Sequence, residues 1–413
     1  MSKPIERYRR VFAVPALRRA LLLGLLVRMP IFTGSIILTI HVVATLHRSY
    51  GAAGLVSGAA TVAIAVSGPW RGRLLDRMGL RRVVVPSIVV AAVCWSVAPF
   101  VDYWPLLGLA ALAGLFVIPS FSIIRQAVLA AVPEEDRRTA LSLDASMVEL
   151  SFMVGPAAGV WAATQWPTSW VLFSVEMAGV AAGIFLWVVN PPLYELDEAA
   201  ESAGERGQHL PRSAWFRGRF LAICTAAAAG TVVLGGTDIG IVAALRSFGA
   251  QPSIGIVLSV WGFGSLLGGL VYGGLHRSVP AFALLAALAV VTVPMALASG
   301  VASLAVLAFV AGLLCAPTIT ATVDEISRVV PGAARGEAMG WHGSFMTAGF
   351  ALGAPGAGVA IDRFGYAGGF VVVSALGFAV ALVVAGVTLR RGSAPGSEPG
   401  LVESAPAPAE LLT

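Results

Sequence analysis

The chain has 413 residues, 57% of them hydrophobic and only 12% charged, with a mean hydropathy of +0.86. A soluble domain carries about 25% charged residues, so this composition excludes a soluble globular protein and a disordered one. The net charge of +5 does not mark a nucleic-acid binder, because the arginines lie between apolar runs, where they set membrane topology.

One membrane-spanning helix takes about 20 apolar residues, and the chain has room for twelve. The long runs exclude the short alternating segments of an outer-membrane barrel. The basic stretch from Lys3 to Arg19 leads into a run too long for a cleavable leader. In chain order the expected spans are Leu17 to Leu46, Ala52 to Trp70, Val83 to Val101, Pro105 to Val132, Ala140 to Gln165 and Ser169 to Val189. An acidic polar stretch follows, from Asn190 to Arg217. The second set is Gly218 to Leu245, Pro252 to Leu275, Val279 to Ala298, Ala302 to Val323, Ala338 to Ile361 and Ala367 to Leu389. The domain reading is a six-helix bundle over 1–189, a linker over 190–217, a second six-helix bundle over 218–391, and a Pro/Ser/Gly/Ala-rich disordered tail over 392–413. Cys94, Cys224 and Cys315 fall inside apolar runs without metal-ligand spacing and read as core residues.

Of the 27 Lys and Arg, Arg28 and Arg125 fall within spans, and Arg48, Arg246 and Arg363 in connections on one side. The rest lie at the termini and in the opposite connections, which puts both termini in the cytoplasm of a plasma-membrane protein.

The two sets also repeat at one constant offset. Ala113-Gly114-Leu115 meets Ala311-Gly312-Leu313, Pro119 meets Pro317, Val132-Pro133 meets Val330-Pro331, Arg137 meets Arg335, and Gly155 meets Gly353. Two such halves rocking about a midplane site give alternating access.

After the second span the chain reads Gly72-Arg73-Leu74-Leu75-Asp76-Arg77-Met78-Gly79-Leu80-Arg81-Arg82. Gly72 permits close helix approach. Asp76 is an anion that a helix N-terminus attracts, and the eleventh span begins on the same side near Gly336. This segment resembles the G-x-L-x-D-R-x-G-R-R signature of the major facilitator superfamily, with Gly72, Asp76, Arg77, Gly79 and Arg81 matching and Leu80 departing from it. The resemblance implies an all-α membrane fold of twelve helices in two pseudo-symmetric bundles, with the Asp76 contact closing a cytoplasmic gate. Gly155-Pro156-Ala157-Ala158-Gly159 resembles the G-P-x-x-G element of antiporters in that superfamily. It is open to reading as an export-type hinge at Gly155, Pro156 and Gly159 or as plain small-residue packing.

Charges within a membrane are functional candidates. Arg28 and Glu149 both count to roughly 14–17 Å deep at the helical rise, and are expected to pair, with Arg125 close by. Asp144 and Glu176 read as near-surface residues, and His342 as the counterpart of Asp144 in the second half. Glu149 is the first candidate proton carrier and Asp238, after Gly235-Gly236, the second. The alternative for the first pair is a static buried ion pair, and for Asp238 a wetted helix end. Phe32, Phe121, Trp261 and Trp341 are candidate cavity-wall residues, although such aromatics are more often core or lipid-facing positions, and Gln126 is a candidate polar group for orienting a ligand.

There is no phosphate loop ending in Gly-Lys-Ser/Thr, no HExxH and no G-x-S-x-G. Neither an enzyme nor a cofactor or metal dependence is expected. The resulting reading is a monomeric secondary transporter exchanging protons for a small amphipathic organic substrate across the bilayer, in the export direction. The alternatives are a proton-coupled importer of a polar nutrient and, remotely, a non-transporting membrane sensor.

Overall fold

The computed structural model describes residues 4–193, 212–275 and 278–392. Among these it contains helices and no strand. Ten helices are long and apolar enough to cross a membrane, alongside a shorter apolar helix, Ala281–Leu297.

The first half opens with an amphipathic helix, α1 (Pro4–Ala13), which the sequence reading did not anticipate because it holds three arginines. Then come α2 (Pro15–Ile40), extended by a π-helical turn, α3 (Tyr50–Met78), α4 (Leu80–Val97), α5 (Tyr103–Leu115), α6 (Ser120–Ala130), α7 (Arg137–Gln165) and α8 (Thr168–Val189). The second half holds α9 (Arg212–Trp215), α10 (Gly218–Ser247), α11 (Ile254–Gly274), α12 (Ala281–Thr292), α13 (Val301–Val329) and α14 (Arg335–Gly392). Gly365 divides α14 into two arms with φ 69°, a left-handed backbone suited to glycine.

Two expected boundaries change for physical reasons. The signature segment is not a loop: α3 continues to Met78 and stops only at Gly79, with φ 76°. A helix does not end where the bilayer does, so Arg71, two per cent exposed, is a buried helical residue that donates to the Val83 carbonyl. The fourth span is two helices, because Pro119 lacks an N–H and disfavours helical backbone at Ile118. Residues 194–211 of the expected linker, His276 and Arg277, and the tail from 393 lie outside the described residues.

The halves pack along two seams, α3 against α14 and α7 against α11. At the face bearing the N-terminus they share one hydrophobic core, in which Leu17, Leu75, Val128 and Ala140 of the first half meet Phe220, Val323 and Ala338 of the second. At the opposite face each half keeps its own core: Ile37, Val56, Leu106 and Leu172 in one, Ile241, Val257, Leu304 and Phe370 in the other. The two halves are therefore joined at the amino-terminal face and separate at the other.

Candidate functional site

At the amino-terminal face, α3 meets the start of α14 backbone to backbone. A Cβ on Gly72 would collide with the Gly336 carbonyl, and one on Gly340 with the Gly68 carbonyl. This approach places Asp76 over the first turn of α14. Its Oδ1 accepts from the Gly336 N–H and its Oδ2 from the Glu337 N–H, both at 2.8 Å. Two otherwise unbonded helical donors are satisfied by one carboxylate at the positive end of the helix dipole. Ser344 reinforces the contact by donating to the Ala65 carbonyl at 2.5 Å. Glu337 extends it to the linker, accepting from Arg212 Nε at 2.6 Å, with Arg73 Nε 3.8 Å away. The other signature residues do different work. Arg77 is exposed, Gly79 turns the chain, and Arg81 lies over the Trp187 ring at 5.5 Å.

The expected Arg28–Glu149 pair is not formed. Arg28, with no exposed surface, donates to Asp144 at 2.5 and 3.2 Å, and Asp144 is two per cent exposed rather than near-surface. Two facts of helix geometry explain this. Asp144 and Glu149 are separated by five residues, so they point about 140° apart around α7. The Arg28 side chain also leans back toward the start of its helix and meets the shallower carboxylate. Arg125 does lie close by, with Nε 4.0 Å from Asp144 Oδ2. Both guanidinium groups lie over the Phe121 ring, at 4.7 and 5.6 Å. Arg125 continues across to the second half, 3.5 Å from His342 Nδ1, and His342 Nε2 lies 2.9 Å from the Thr322 hydroxyl. The constant offset already paired Asp144 with His342; what it lacked was Arg125 touching both.

Glu149 instead faces the other seam. Its Oε1 accepts from the Ser265 hydroxyl of α11 at 2.6 Å. Asp238 of α10 lies in the same neighbourhood. Among the described residues neither carboxylate forms an ion pair. Ser265 was missed, because a lone serine in a Gly-rich helix gives no signal. Glu176 is half-buried against Gly34.

Gly155 and Gly159 pack on Thr33 and Ile37 of α2, and α7 runs unbroken through Pro156. Phe32 and Phe121 come together, at 6.5 Å, with Phe152 against Phe32 at 5.6 Å. Gln126 is buried beside Ser122, its Oε1 without a partner. Trp261 and Trp341 are not brought together. Trp261 packs among the second-half cores, while Trp341 lies against Phe216 near the amino-terminal face. No group of three or more metal-ligating side chains occurs among the described residues.

A family model described as Major Facilitator Superfamily matches residues 20–245 and 220–412. Curated proteins give no match. Solved structures do. The human organic anion transporter TETRAN aligns with TM-score 0.67 and 16% identity, over 91% of this chain and 99% of its own. A proton:xylose symporter aligns with TM-score 0.70 and 12% identity, over 89% and 94%. A bacterial homologue of the iron transporter ferroportin, in an outward-facing state, aligns with TM-score 0.69 and 12% identity, over 92% and 100%. At these identities the likeness is one of fold.

Proposed function

The chain belongs to the major facilitator superfamily and is a multi-pass membrane transporter, and from that premise we propose that it exchanges protons for a small amphipathic organic substrate, in the export direction. In this reading α5 with α6 counts as one crossing and the two arms of α14 as two, giving twelve. The amino-terminal face is the cytoplasmic side of a plasma membrane, and the conformation is closed there and open outward. The functional unit is the monomer.

The observation that supports coupling is the Glu149 carboxylate, held among the described residues by Ser265 across the seam between the halves, with Asp238 nearby. When the halves rock, that hydrogen bond and its surroundings change together. A carboxyl group whose surroundings differ between two states takes up a proton in one and releases it in the other. Arg28 and Asp144 pair with each other inside the first half and serve as an anchor rather than a carrier. The aromatic cluster of Phe32, Phe121 and Phe152 offers an apolar wall with the Arg28 and Arg125 guanidinium groups against Phe121, the mixed chemistry an amphipathic compound needs.

The test is transport in proteoliposomes under an imposed pH gradient, with lumenal pH read while candidate compounds are added. Wild type is expected to move protons only with substrate, and Glu149→Gln to lose that proton movement. Substrate movement without proton flux in either protein rejects proton coupling.

A further inference from the structure

At the amino-terminal face, a cleft of about 620 Å³ opens between the halves. Arg7 of α1, Glu134 and Glu135 of the turn before α7, and Arg138 of α7 line it from one side; Ser278, ahead of α12, and Arg328 of α13 line it from the other. We propose that this cleft is a binding site for a phosphate-bearing anion, and that its occupant ties the two halves together in the conformation closed at this face. The proposal needs only the family's rocking halves and stands whether or not Glu149 carries protons.

Arg138 is the anchor. It is five per cent exposed, its Nε has no hydrogen-bond partner, and its guanidinium rests over the Tyr272 ring at 5.7 Å. The carboxylates that would neutralise it are engaged elsewhere. Asp136 holds Arg7 Nε at 3.1 Å and Arg10 at 2.8 Å, and Asp324 holds Arg328 at 3.1 Å. Arg138 is also in the first turn of a 29-residue helix, where the dipole already presents positive charge. A buried cation at the wrong end of a helix dipole, whose nearby carboxylates are shared with other arginines, is costly.

An anion removes that cost, and phosphate oxygens accept from a guanidinium fork in matched pairs. Glu134 and Glu135 do not fill the role. Both are exposed, the Glu135 side chain at 70%, and its carboxylate lies 3.9 Å from Arg10. At that rim solvent and salt screen their charge. The cleft has room for a phosphate group with water, and an occupant would touch Arg138 on one half and Arg328 on the other. The same chemistry comes from two sources, dissolved phosphate or the headgroup of an anionic phospholipid.

The test uses the full chain in nanodiscs. In one arm the lipid is phosphatidylcholine and inorganic phosphate is titrated against chloride at constant ionic strength. In the other the buffer is phosphate-free and the fraction of phosphatidylglycerol is raised. The readouts are the thermal midpoint and hydrogen–deuterium exchange of α1 and the 133–138 turn. Wild type is expected to gain a few degrees on binding and to exchange more slowly there. Arg138→Gln is expected to need at least about tenfold more anion, while Arg138→Lys keeps part of the response. A response in the phosphate arm alone assigns a soluble phosphate, and one in the lipid arm alone assigns a headgroup. If Arg138→Gln does not fold, Arg328→Gln takes its place, with an expected weakening of about threefold. No response in either arm, or variants that respond as wild type does, overturns the site.

Discussion

Where the first half carries Asp144 the second carries His342, where the first carries Arg125 the second carries Val323, and where Pro119 interrupts a helix Pro317 lies inside one. The scaffolds correspond, but what holds each together differs. The first half is fastened by the buried pair of Arg28 and Asp144, with Arg125 beside them. The second is fastened by backbone contact: α11 and α13 approach so closely that a Cβ on Gly264, Gly268 or Gly312 would strike the other helix's main chain. In a membrane, where hydrophobic burial does not favour helix over lipid, both are workable sources of cohesion. They fail differently, because an ion pair loses everything when one partner goes while a small-residue contact fails by collision.

The largest expected effect follows from that difference. Arg28→Leu removes the two short bonds to Asp144 and leaves the buried carboxylate with Arg125 Nε at 4.0 Å, and should destabilise by about 3 kcal/mol. The double variant Arg28→Leu with Asp144→Leu should recover most of the loss. His342→Leu at the corresponding place in the second half, where the partners are one threonine and one arginine, should cost about 1 kcal/mol. Thermal unfolding in detergent orders the three, and equal losses at Arg28→Leu and His342→Leu would refute the asymmetry.

The next two test the seam rather than the halves. Gly72→Val places a branched side chain against the Gly336 carbonyl, a clash of about 1–3 kcal/mol. Because that contact exists only when the amino-terminal face is closed, the variant should fold, open at that face and lose transport. Gly312→Val, buried within the second half, should lower the thermal midpoint instead. Asp76→Asn is milder. It keeps the shape and one acceptor but removes the charge facing the α14 dipole, worth about 1 kcal/mol, or about a fivefold shift toward opening. Thiol labelling of a cysteine introduced at the amino-terminal face measures both.

What the sequence discloses and what it hides divide along physical lines. Long apolar runs and the distribution of arginine reveal helices and halves because lipid imposes them on every residue. The Asp76 signature reveals its partner because charge and helix dipole act over a short, predictable geometry. The Arg28 partner stays hidden because depth along a helix is easy to count while the direction a side chain faces is not. Asp144 and Glu149 lie five residues apart on one helix and point to different neighbours. Ser265 stays hidden because its importance comes wholly from a carboxylate on another helix. The break at Pro119 and the continuity at Pro317 are one local sequence signal with two outcomes, decided by what packs around each.

The smallest effect concerns α1, which belongs to neither half but touches both. Arg7 bonds Asp136 on the first half, and the Tyr8 hydroxyl donates to the Leu270 carbonyl on the second. Tyr8→Phe keeps the ring and removes the hydroxyl, which should cost about 1 kcal/mol or less and slightly favour opening at the amino-terminal face. Burial pushes the Tyr8 phenol up to about 12. A raised value means that folding favours the protonated form. Its contribution is therefore complete below the unfolded value of about 10, and is lost as pH rises toward 12. Between pH 5 and 9 the difference between wild type and Tyr8→Phe in exchange protection of α1 should be constant. A difference that changes within that range would mean that the contact depends on some other titrating group at this face.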